Sequence, residues 1–138
     1  MKIRIGLLIS ALTFAGAAGA AMPTYRDARK VYDEIESLQY QTGLWYKKSL
    51  AERRAAVDQV TSLQARTERM WPGRSQCKEA AAFAADYVVN LNSFALILQG
   101  SRQPQPSDLY AALFNAVTFG EKRASCYDEV EALDQVKK

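Results

Sequence analysis

A chain of 138 residues, 49% hydrophobic and 24% charged with a formal charge of +3, is long enough for one domain around a single core. It contains no histidine, which excludes Ser-His-Asp and Cys-His catalysis, imidazole ligation of haem and nearly all catalytic zinc chemistry. Its two cysteines cannot complete a structural zinc site by themselves, so neither metal nor cofactor is expected.

Residues 1–21, MKIRIGLLISALTFAGAAGAA, read as a signal peptide. Lys2 and Arg4 form a cationic start, and Ile5 to Ala18 is apolar but too short and too rich in Gly and Ala to span a bilayer. Ala18-Gly19-Ala20 supplies the small residues that a signal peptidase needs. The mature chain, expected to begin near Ala21 or Met22, is placed in the periplasm or outside the cell. The Ala-rich cleavage region and short cationic start are bacterial in style. Without Lys2 and Arg4, 16 basic residues face 15 acidic ones, a balance that gives no support for a nucleic-acid partner. No further long apolar run is evident after Met22, so no transmembrane span is expected in the mature chain.

Residues 22–138 are expected to form a single all-α domain, an up-down-up-down bundle of four helices near residues 24–47, 49–70, 75–99 and 107–135. The first starts at Thr24, with Asp27 as its capping partner, and buries a stripe of Ala28, Val31, Ile35, Leu38, Thr42 and Trp45. Ser49 and Glu52 make a second capping box, opening a helix with a narrow stripe of Val57, Val60, Leu63, Thr67 and Met70. Trp71-Pro72-Gly73-Arg74 breaks it. Ser75 caps the third helix, which has the clearest periodicity: Cys77, Ala80, Ala84, Tyr87, Leu91, Phe94 and Leu98. Leu91, Phe94 and Leu98 are expected to be buried. After a connection holding two prolines, Ser107-Asp108 opens the fourth helix, with Leu109, Ala112, Ala116, Phe119, Cys126, Val130 and Leu133 on one stripe.

Folding the last two helices back about residue 102 sets opposite each other positions whose numbers add to about 204, and 77 and 126 add to 203. Cys77 and Cys126 also lie on the predicted stripes, so they are expected to form one disulfide in an oxidising compartment. A redox-active pair would more often be a local Cys-x-x-Cys.

The same topology brings the first and third connections to one end, opposite the disulfide. Trp45, Tyr46, Lys47, Lys48, Arg53 and Arg54 gather there, with Arg102 from the other loop, as the candidate partner-binding set. Against it stands the plainer reading that Trp45 closes the core and the charges solvate a turn. At the opposite end, Asp128, Glu131 and Asp134 have helical rather than loop spacing, which sets metal binding aside. Arg123 interrupts the fourth stripe and is expected to pair with Glu79; Asn92 is expected to make an inter-helix hydrogen bond. The aromatic residues on the stripes, Phe114 and Tyr127 among them, are expected in the core.

Three functions suit this pattern. The first is an exported protein that acts by binding a partner protein in the cell envelope, as an inhibitor, immunity protein, chaperone or secretion accessory. The second is a helical-bundle lyase or mutase holding an anionic substrate with Arg and Lys. The third is a peripheral envelope protein that grips a polyanion or membrane surface with the Trp45–Arg54 tip.

Overall fold

A computed structural model describes residues 21–136, so the expected signal peptide lies outside the described residues except for Ala21. Four helices occupy this range: α1 (Tyr25–Gly43), α2 (Leu50–Met70), α3 (Gln76–Leu98) and α4 (Pro106–Gln135), with one 3-10 turn at Trp45–Lys47. Successive helices run antiparallel as an up-down-up-down bundle, and no strand occurs among the described residues. α3 packs against all three other helices, while α2 and α4 touch least.

The helix starts follow from local chemistry. The Thr24 hydroxyl accepts the Asp27 N–H at 3.2 Å and donates to the Asp27 carboxylate at 2.9 Å. At α2 the box is reciprocal: Ser49 Oγ accepts the Glu52 N–H at 3.2 Å, and Glu52 accepts the Ser49 N–H at 2.6 Å. Ser75 Oγ accepts the N–H groups of Cys77 and Lys78. α4 starts one residue before the expected Ser107. Pro106 takes its first position, where a missing N–H costs nothing, and Asp108 accepts the Gln105 N–H at 2.7 Å. α1 stops at Gly43, short of Lys47, and the 3-10 turn then carries Trp45 into the core at 6% exposure. α3 ends in a Schellman turn: Gly100 adopts φ +74°, Ser101 N–H reaches Leu96 O at 2.9 Å, and Gly100 N–H reaches Ile97 O at 3.0 Å.

Ile35, Leu38, Leu63, Val88, Phe119 and Val130 are fully buried at the centre. Each contributes about 1.5–3 kcal/mol over an exposed position. Trp71, expected only as part of a helix break, is also fully buried. The extended backbone that ends α2 turns its indole inward.

The expected register holds. Cys77 and Cys126 form a buried disulfide joining α3 and α4, with Cα atoms 4.5 Å apart. Glu79 pairs with Lys122, Tyr87 packs on Phe119, and Asn90 bonds Asn115 along the same seam. Two side chains stand elsewhere than expected. Arg123 turns from Glu79 to α1, donating to Tyr32 Oη at 2.9 Å and lying 3.4 Å from Glu36. Its neighbour Lys122 takes Glu79, because one residue along a helix rotates the side chain by about 100°. The inter-helix amide bond belongs to Asn90, not to Asn92.

The expected burial fails at the end away from the disulfide. Leu98 is 85% exposed, Leu91 and Phe94 are only half-buried, and Leu109 is exposed on α4. Phe114 is also exposed, resting edge-on against Phe83, and at the disulfide end Tyr127, next to Cys126, is exposed edge-on against Tyr32. At 1.5 Å per residue, α3 and α4 are about 34 and 45 Å long against about 28 Å for α1. The longer pair outruns the cover that α1 supplies. α3 is also long and apolar enough, by length and composition, to cross a membrane, contrary to the expectation that no such run follows Met22. Three packed neighbours and a buried disulfide make it the bundle's central helix.

Candidate functional site

The 3-10 turn, the first turn of α2 and the last turns of α3 converge at this open end. Trp45, Tyr46, Arg53, Leu91, Phe94 and Leu98 line one apolar pocket of about 260 Å³. Three members of the sequence-derived candidate set are thus brought together: Trp45, Tyr46 and Arg53. The rest of the wall consists of the three α3 residues expected in the core, together with Thr42 and Ala95. Their stripe continues past the level at which α1 ends, so residues with core spacing become the lining of a pocket.

The other candidates divide. Arg54 lines an adjoining depression of about 230 Å³ with Leu50, Asn92, Leu96 and Gln99, and Arg53 belongs to both. Lys47 folds its ammonium over the Tyr46 ring, 5.6 Å from the centroid, a cation–π contact at the exposed rim. Lys48 is half-buried where the 3-10 turn leads into α2. Arg102 does not join them, because it is held at 2.8 Å by Asp108 within its own connection.

The carboxylates of this end are committed. Hydrogen bonds from the Ser49 backbone and hydroxyl hold Glu52 below its ordinary range, and the Arg102 guanidinium does the same for Asp108. The Arg53 side chain has no ion pair or hydrogen bond to any described residue, and its Nε is buried without an acceptor. The indole N–H of Trp45 is likewise buried without a partner. A buried donor left unpaired costs about 1–3 kcal/mol. An apolar hollow, a guanidinium with spare donors and an unpaired indole therefore adjoin one another. This arrangement suits recognition of an anionic group attached to an apolar body. It offers no nucleophile–base pair.

Elsewhere most polar groups have partners, although Arg66 Nε, Trp71 Nε1 and Arg123 Nε are also buried without one. A cleft of about 610 Å³ opens between α1 and α4, lined by Glu36, Gln39, Tyr40, Gly43, Leu44 and Arg123, but its one cation is already bonded to Tyr32 and Glu36. At the disulfide end, Glu131 accepts from Arg29 at 2.9 Å and from Tyr25, and Glu129 accepts the Gln76 N–H. No protein-family model matches this chain, and no match was found among curated proteins or solved structures.

Proposed function

We propose that this is an exported bacterial protein that acts by binding a partner protein through the open end of its bundle. The observation that carries the reading is the apolar surface there: Leu98 is 85% exposed, Tyr110 75%, Tyr46 73% and Leu109 60%. Large apolar groups left together in water mark interaction surfaces on folded proteins. The basic residues Lys47, Lys48, Arg53 and Arg54 beside them favour a partner with an acidic rim. The signal-like N-terminal sequence and the buried disulfide both support an oxidising compartment outside the cytoplasm. A clamped scaffold with few internal degrees of freedom also suits a protein that works by occupancy.

The test immobilises disulfide-intact protein and exposes it to envelope extract beside two variants. Leu98→Asp puts a charge on the apolar end; Asp134→Lys alters the opposite end. A partner retained by the parent protein and Asp134→Lys but lost with Leu98→Asp supports the reading. A partner lost only with Asp134→Lys overturns it, as does retention by all three proteins.

A further inference from the structure

Two depressions meet at Arg53, both mostly apolar but lined by different side chains. The larger, of about 260 Å³, is walled by Trp45, Tyr46, Leu91, Phe94 and Leu98. A cavity of roughly 150 Å³ admits a benzene, so this one takes a single large apolar side chain with room beside it. The second, of about 230 Å³, has Asn92 and Gln99 in its lining beside Leu50, Arg54 and Leu96. Ala95 and Arg53 line both. Glu52, adjacent to Arg53 in sequence, is turned to the Ser49 N–H, and Asp108 is held by Arg102. The Arg53 guanidinium, which lines both depressions, has no acceptor among the described residues.

We infer that this end of the bundle captures the carboxyl terminus of a partner polypeptide. The last side chain, which is apolar, sits between Trp45, Phe94 and Leu98; the α-carboxylate lies on Arg53; and the preceding backbone amides run past Asn92 and Gln99. A planar guanidinium matches a carboxylate with two parallel hydrogen bonds. Apolar walls strengthen that contact by excluding water. Asn and Gln side chains, each both donor and acceptor, suit peptide groups. A fatty carboxylate would use Arg53 and the first depression alike but would leave both amides idle, so the second depression favours a polypeptide.

The inference rests on the partner-binding reading of the same end, and its test is independent of that reading's. The probe is a pool of heptapeptides ending in leucine, random upstream, offered to disulfide-intact ¹⁵N-labelled protein as the free acid and as the C-terminal amide. Decanoate is the third arm. The free acid is expected to shift the Trp45 indole N–H resonance and to bind at least tenfold more tightly than the amide, with Arg53→Gln removing that difference. Should Arg53→Gln disturb the fold, the acid-against-amide comparison on the parent protein decides alone. Equal binding of acid and amide overturns the inference, as does binding of decanoate alone or no binding at millimolar peptide. If the peptides fail while Leu98→Asp still abolishes partner capture, only the carboxyl-terminus inference falls. If both fail, the partner-binding reading falls with it.

Discussion

Replacing both bridging cysteines, Cys77→Ala with Cys126→Ala, removes the single covalent tie between α3 and α4. The bridge spans 49 residues of sequence, and closing a loop of that length lowers the entropy of the unfolded chain by an amount worth about 4 kcal/mol. Both side chains are fully buried, and alanine fills most of their volume without adding a polar group, so the packing loss is the smaller part. The seam survives through the Tyr87–Phe119 contact, the Asn90–Asn115 bond and the Lys122–Glu79 pair. The double variant should therefore keep its helices in dilute buffer yet unfold at lower urea. Circular dichroism at 222 nm against urea gives the midpoint and the slope. A loss of 2–5 kcal/mol is expected, with a somewhat steeper slope because the unfolded chain expands further once released. A loss below about 1 kcal/mol would refute the loop-entropy reasoning. Helices already lost without denaturant would refute the claim that the remaining seam holds α3 to α4.

Phe119→Ala should cost about 3–5 kcal/mol by the same urea assay, because its ring is fully buried against Tyr87, whereas Leu98→Ala, at an exposed site, should stay within about 0.5 kcal/mol. Gly100→Ala forces a side chain into φ +74° and should cost about 1–2 kcal/mol although nothing crowds the site, with a neutral result counting against the Schellman turn. Glu52, Glu79 and Asp108 are held below the ordinary carboxylate range, Glu79 chiefly by its hydrogen bond from Lys122. Their contribution is fully present above the unfolded-state pKa of about 4 and is lost as pH falls through the lower folded-state values. Melting temperature should thus drop between pH 5 and pH 3, and a rise over that interval would contradict the assignment.

Much of the fold was legible in the residues because capping and periodicity are local. Thr24, Ser49 and Ser75 cap where their side chains dictate, and the stripe from Ala28 to Trp45 is buried throughout. The Cys77–Cys126 pairing was legible because antiparallel helices of known turn position face each other level by level. The azimuth around each helix was not. Level arithmetic set Arg123 beside Glu79, but its direction points to Tyr32 and Glu36. Nor does a 3-4 stripe say where the neighbouring helix ends, so Leu98 and Leu109 looked like core and are exposed. Trp71 was hidden by its neighbours, since Pro72 and Gly73 signal a break without saying that the residue before them turns inward. Trp45, Tyr46 and Arg53 were legible as a cluster at one end. Their pocket was not, because half its lining comes from the stripe of α3.

Photo-crosslinking in the exporting cell tests the partner-binding reading most directly. A photoreactive amino acid is placed at Leu98 in one protein and at Asp128, on the far half of α4, in another. Discrete adducts of one size from Leu98, with none from Asp128, are expected if the open apolar end is where a partner protein sits. Adducts from Asp128 alone, or none from either position, would mean that the exposed Leu98–Tyr46 surface is not the binding surface of this protein.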